Sequence, residues 1–298
     1  MKKSIRTDAW EIRQEWGMLI PFLAFFSVFT VLPVLASMVL SFTDFNMLQA
    51  PRFVGFENYT SLFLDDDIFL IAVKNTLIFA FLTGPASYFI CLLFAWLINE
   101  LPSKVRTVMT LVFYAPTIAG NFFVIWTAIL SGDRYGLLNS LLMQLGIVDS
   151  PVMWLSDPQY TLGVVIVVQL WLSLGVGFLS FVAGFQSIDT SIYEAGAVDG
   201  IKNRFQELVH LTLPSMAPML LFGAVMQISS SFGVGAVSAA LAGNPSTDYS
   251  AHTVVLHMQD YGTTRYEMGY ACAVAVVLFL AMVLTNTLIK KILSRFEA

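Results

Sequence analysis

The charges of this chain fall in clusters, and the gaps between them dictate what it can fold into. Between Glu15 and Asp44 lie 28 uncharged residues, between Lys74 and Glu100 25, and between Arg106 and Asp133 26. Three further gaps hold 31 residues from Asp157 to Asp189, 40 from Glu207 to Asp248 (His210 aside) and 22 from Glu267 to Lys290. A helix crossing a bilayer needs about 20 predominantly apolar residues, so each gap accommodates one span. Composition agrees: 57% of the 298 residues are hydrophobic and 12% are charged, about half the charge of a soluble domain. With 25 Phe, 6 Trp and 10 Tyr the chain is far too rich in aromatics to be disordered. A net charge of −5 without a basic stripe excludes nucleic acid as a partner.

The expected fold is an all-α integral membrane protein with six transmembrane helices. Residues 1–16 form a polar tail and 17–298 the membrane domain, with spans near 17–42, 75–99, 107–131, 160–184, 212–235 and 268–289. The second half of the 40-residue gap is polar and glycine-rich (Ser229, Ser230, Ser231, Gly233, Gly235, Gly243, Asn244, Pro245) and reads as a re-entrant or surface segment. Residues 135–148 are too few to cross and read as an interfacial helix. The first apolar run is too long for a signal-peptide core and lacks a convincing cleavage site, so it is expected to stay as an anchor. With the N-terminus inside, 11 of the 15 Lys and Arg fall on the cytoplasmic side and 11 of the 20 acids outside, including Asp65, Asp66 and Asp67. That bias brings both termini to the cytoplasm.

Catalytic constellations are missing from the sequence. It has no G-x-x-x-x-G-K-[ST] phosphate loop, G-x-S-x-G, H-E-x-x-H or C-x-x-C, so ATP binding of the usual kind is not expected of this chain. Cys91 and Cys272 sit inside apolar runs as packing residues. Of the three histidines, His252 and His257 share a stretch expected to be a surface loop, with metal binding a remote second reading. No span carries Asp, Glu, Lys or Arg. An ion-coupled carrier usually keeps such a residue at membrane depth, so energy for transport would come from elsewhere.

The most informative stretch follows the fourth span: Ser191-Ile-Tyr-Glu-Ala-Gly-Ala-Val-Asp-Gly200. Ser191 with Glu194 three residues on reads as a capping box that starts a short helix. Ala195, Gly196 and Ala197 permit close backbone approach. Asp199 and Gly200 end the helix, with Gly200 free to take positive φ. A second short helix follows from about Lys202, and Leu213–Pro214 opens the fifth span. Such a small-faced, charge-tipped helix pair suits docking into a groove on a soluble partner, although a plain capped loop would also satisfy the pattern.

Glu194-Ala195-Gly196, Asp199-Gly200 and Leu211-x-Leu213-Pro214 together resemble the EAA loop: E-A-A, two residues, D-G, about ten residues, then I-x-L-P. By this motif the chain resembles a permease subunit of a bacterial binding-protein-dependent ABC importer of the carbohydrate, maltose-type class. Phe53-Val-Gly-Phe-Glu-Asn-Tyr59, Asn75-Thr76, Pro116, Trp126, Gly136-Leu-Leu-Asn139 and Ala183-Gly-Phe-Gln-Ser-Ile188 extend the likeness over nearly the whole chain. Gly196 for the second Ala, and Ile201 for the usual Ala after Gly200, depart from the pattern. The resemblance implies a second permease subunit, a homodimeric cytoplasmic ATPase that holds the ATP and Mg, and an extracellular solute-binding protein. This chain would then bind no cofactor itself and would work in the lipid of the bacterial cytoplasmic membrane. Glu194 would meet a basic residue of the ATPase, Gly200 would supply the bend, and the EAA loop would span about 185–211.

A sugar pathway needs hydroxyl-matching polar groups and aromatic faces without fixed charge. Gln227, Ser230 and Ser231 on the fifth span and Gln169, Trp171 and Ser173 on the fourth are candidates, with helix–helix hydrogen bonding as the competing role. Three other readings remain open: a permease for glycerol phosphate or another polyol, a standalone secondary carrier, and a membrane-embedded enzyme.

Overall fold

The computed structural model describes residues 9–118, 120 and 123–293. In chain order its helices are α1 (Ala9–Phe26), α2 (Leu32–Leu40), α3 (Glu57–Leu64), α4 (Asp67–Asn99), α5 (Ser103–Ile118), α6 (Phe123–Ile129), α7 (Leu137–Gln144) and α8 (Pro158–Leu172). Then come α9 (Val176–Gln186), α10 (Thr190–Val198), α11 (Arg204–Glu207), α12 (Leu213–Ser215), α13 (Ala217–Phe232), α14 (Ala236–Ala242), α15 (Val254–Gln259) and α16 (Met268–Leu293). Among the described residues, four stretches are long and apolar enough to cross a bilayer: Leu19–Leu40, Asp67–Asn99, Pro158–Gln186 and Met268–Lys291. Two helix pairs, α5 with α6 and Arg204–Ser215 with α13, meet the same test together.

Contacts divide the chain into two units, residues 1–65 with 258–276 and residues 66–257 with 277–298. In the first, strands β1 (Thr43–Asp44) and β2 (Arg52–Phe53) pair antiparallel, Thr43 opposite Phe53. Asn58 Nδ2 donates to the carbonyls of Ser41 and Thr43 at 2.8 and 3.0 Å, and Gly269 N–H donates to Phe45 O at 3.0 Å. Every residue from Leu19 to Leu40 is exposed or only partly buried. An apolar run of that kind needs lipid or another helix around it.

The second unit holds the core. Phe79, Val165, Val168 and Leu241 form one apolar cluster, and Cys91, Phe178, Phe181 and Met216 form another. Helix α4 runs through both. At 33 residues it is about 50 Å long.

The expected fourth and fifth spans are each broken. The fourth is interrupted at Ser173–Gly175, between α8 and α9. The fifth is bent by 83° at Met216, so the long helix opens at Ala217 rather than at Leu213–Pro214. Proline is the cause. In a continuous helix Pro218 would owe an N–H to the carbonyl of Pro214, has none, and would collide with it. The expected 107–131 span is divided between α5 and α6, with residues 119, 121 and 122 outside the described set. Helix α7 occupies part of the interfacial 135–148 segment. The expected re-entrant or surface stretch contains α14, which buries Val237, Ser238 and Leu241.

Candidate functional site

The 190–214 segment is built from local signals, and its N-terminal cap differs from the expected one. Asp189, not Ser191, caps α10: its carboxylate accepts the Ser191 N–H at 3.0 Å. Ser191 lies inside the first turn with helical geometry and so cannot act as the cap. Hydrogen bonds from Ser191 hold the Asp189 carboxyl below its ordinary range. A depressed carboxyl supplies its cap at neutral pH and loses it on acidification through that lowered value. Glu194, released from the expected capping box, stands exposed on the helix surface.

The other end of α10 closes as a Schellman turn. Ile201 N–H bonds Gly196 O at 3.0 Å, and Gly200 N–H bonds Ala197 O at 3.4 Å. Gly200 takes φ +93°, which L side chains rarely adopt. Asn203 caps α11 through the Gln206 N–H, so the second short helix starts two residues after Lys202. Gly196 is buried because Leu211 covers it: an added Cβ would lie 2.5 Å from Leu211 Cδ1 and 3.2 Å from Ile201 Cδ1. Tyr193 Oη and Thr212 Oγ1 are 3.2 Å apart, and Thr212 Oγ1 donates to Glu207 O at 3.2 Å. The result is a pre-folded knuckle, closed on itself, with Glu194, Ala195, Ala197, Asp199 and Gly200 facing water.

The six pathway candidates separate into two groups. Gln227 is buried and bridges three elements: it accepts from Ser87 Oγ at 3.1 Å and donates to Cys91 Sγ at 3.0 Å and Ser173 O at 3.3 Å. The Ser173 carbonyl is one that the break between α8 and α9 releases, and Thr117 Oγ1 donates to the next, Leu174 O, at 3.1 Å. Non-helical backbone at membrane depth needs such partners. Ser231 Oγ returns to Gln227 O at 2.7 Å, Ser173 Oγ bonds Leu170 O at 2.6 Å, and Gln169 is buried on α8. Ser230 is exposed, and Trp171 is half-exposed beside Trp126, ring centres 5.5 Å apart. A cavity of about 430 Å³ between α4, α13 and α16 reaches Gly84, Tyr88, Gln227 and Ser231.

No family model matches the sequence. A probable ABC transporter permease protein of Bacillus subtilis, YesP, is 30% identical over 299 residues, covering 98% of this chain and 93% of its own. The chain belongs to the ABC transporter permease family. The arabinooligosaccharides transport system permease protein AraP of the same organism is 27% identical, covering 93% of this permease and 87% of its own length. Among solved structures, a bacterial alginate ABC transporter in complex with alginate pentasaccharide-bound periplasmic protein matches with TM-score 0.78 at 23% identity, over 96% of the permease and 97% of that chain. At that identity the likeness is one of fold.

One cluster in the permease escaped the sequence reading. His252 and His257, expected on a surface loop, are both buried, at 2% and 1% exposure. His257 Nε2 lies 3.0 Å from Asp66 Oδ2, while the other oxygen of Asp66 caps α4 through the Phe69 N–H at 2.8 Å. Asn75 Nδ2 donates to the carbonyls of Tyr249 and His252, each at 3.0 Å, and Thr76 Oγ1 accepts the Val254 N–H at 3.0 Å. Asp248 and Tyr249 hold φ +50° and +54° within this fastening, a region a bulky side chain avoids unless its surroundings impose it. The one signal in the sequence was Asn75-Thr76 inside an apolar run. Among the described residues no group of three His, Cys, Asp or Glu is placed to hold a metal.

Proposed function

We propose that this permease imports a sugar or oligosaccharide across the bacterial cytoplasmic membrane, driven by a separate ATPase that docks on α10. The reading rests on one observation above all: a pre-folded knuckle whose outward face is Glu194, Ala195, Ala197, Asp199 and a φ-positive Gly200. The EAA motif assigns that knuckle to the ATPase cleft, together with Gly196, Leu211, Leu213 and Pro214. The ATPase would be a homodimer carrying the ATP and Mg, this chain binding no cofactor and performing no hydrolysis. A second permease subunit would complete the pathway and an extracellular solute-binding protein would deliver cargo. Six spans with both termini cytoplasmic follow if each bent helix pair crosses once, and the placement of 11 of 15 basic residues supports that orientation.

A carbohydrate cargo is supported by the arabinooligosaccharides transport role in the name of AraP and by the charge-free spans. Polar groups at the α8–α9 break offer a path. Trp171 and Ser230 would meet the sugar, and Gln169, Ser173, Gln227 and Ser231 would shape the wall behind them.

Gentle-detergent purification should recover an ATPase, a second six-span protein and a binding protein with the chain. In vesicles rebuilt from that complex, Glu194→Lys or Gly200→Pro should lower sugar uptake by about a hundredfold or more while the chain still inserts. Normal uptake by both variants would overturn the reading.

A further inference from the structure

Three charged residues meet where α4 ends. Arg204 is the first residue of α11; its Nε lies 3.4 Å from Glu100 Oε2, and its Nη1 donates to Glu207 Oε2 at 2.7 Å. Glu100 is the C-terminal cap of α4. Beneath the three carboxylate and guanidinium groups lies a cavity of about 260 Å³, walled by Trp96 and Asn99 of α4, Phe185 of α9, and Tyr193, Leu208 and Thr212. The knuckle and the end of α4 therefore face one another across open space, and the Arg204 side chain bridges it.

From this geometry we propose that Arg204 is a positioning residue for energy coupling, the strut through which displacement of α10 reaches α4. The proposal rests on α10 being the ATPase-docking helix. Force on α10 passes to the 204–212 stretch through the Gly196–Leu211 contact and the Tyr193–Thr212 hydrogen bond. Arg204 hands it to Glu100, while its bond to Glu207 fixes the guanidinium's orientation. A planar fork held by two carboxylates resists rotation in a way a lysine could not. Helix α4 is continuous from Glu100 back to Asp66, so the push arrives at the far end, where Asn75 and Thr76 hold residues 249–254. With side-chain exposures of 66% for Arg204 and 39% for Glu100, the pair adds little to stability, so its loss should act on coupling rather than folding.

The test uses the complete complex in proteoliposomes and reads two quantities: sugar moved per ATP hydrolysed, and ATPase retained on the permease. Arg204→Glu and Glu100→Arg should each lower the transport ratio about fivefold with the ATPase retained. The double variant should recover part of the loss, because the ion pair between positions 100 and 204 is restored with its charges exchanged, while the new carboxylate at 204 lies beside Glu207 and the bond that oriented the guanidinium is gone. Arg204→Gln, which adds no like charge, should still lower the ratio about twofold. An unchanged ratio in the single variants, a double variant no better than either, or loss of the ATPase from the complex would each overturn the proposal. Glu194→Lys in the same assay separates the two readings. If it uncouples transport while Arg204→Glu does not, the strut fails alone; if neither has an effect, the docking assignment fails with it.

Discussion

At the C-terminal end of α4 the permease is tied to the 190–214 knuckle by side chains that remain in water. At the N-terminal end it is tied to residues 246–257 by polar groups that are buried or nearly so. Arg204, Glu100 and Glu194 are hydrated and replaceable in their effect on stability. Asp66, Asn75, Thr76 and His257 form a closed set, each partner supplied from more than 170 residues along the chain. The first arrangement can yield and re-form during a working cycle. The second is a fixed anchor, because opening it would strand buried donors and acceptors. Both lie on one helix, which would make α4 a lever with a compliant end and a clamped end.

The sharpest way to break that comparison is to unclamp α4. Asn75→Leu removes both hydrogen bonds, one of them fully buried, and takes the Asn75 donor from the His252 carbonyl, while the Tyr249 carbonyl keeps the His252 N–H. We expect a loss of about 3 kcal/mol, read as a lowered thermal midpoint of the detergent-purified complex and a reduced membrane yield. Thr76→Val orphans only the Val254 N–H and should cost about 1–2 kcal/mol in the same measurement. If either variant is as stable as the parent, the anchor is no tighter than the knuckle and the contrast disappears.

How legible each end was follows from its chemistry. Exposed residues are read one at a time, by charge, size and spacing, so Glu194, Asp199 and Gly200 stand out in the sequence, and Gly200 takes the positive φ expected of it. Among the described residues, four of the six charge-free gaps hold a stretch long and apolar enough to cross a bilayer, and the other two hold bent helix pairs, since charge at membrane depth is costly. A gap without charge, however, is silent about breaks. The interruption at Ser173–Gly175 has its local signal in Ser173, Gly175 and Gly177, which end the run of Val, Leu and Trp, and its distant one in Gln227, an amide 54 residues downstream that donates to the Ser173 carbonyl. The bend at Met216 was written in the spacing of Pro214 and Pro218, and weighing Pro214 alone put the start of the long helix four residues early. His252 and His257 misled because histidine near glycine and proline suggests a loop surface. Their burial depends on Asp66 and on the α4 terminus, which only the fold brings near.

The smallest expected effect sharpens the comparison most, because it tests the compliant end by overfilling it. Gly196 stands where the family pattern has Ala, and Leu211 occupies the space that methyl would take. The obstructing atom is the end of a partly buried leucine with rotamers to spare, not backbone or a ring. Gly196→Ala should therefore be absorbed by rotation of Leu211, at a cost below about 1 kcal/mol and with transport per ATP within about twofold of the parent. Adding Leu211→Ala creates the opposite defect, so the two substitutions should compensate, with a measurable coupling term in a double-mutant cycle. A rigid knuckle would behave otherwise: Gly196→Ala alone would displace α10 and lower transport as far as Arg204→Glu does. Tolerance at 196 beside sensitivity at 204 would place the give in the packing of α10 and the transmission in the ion pair.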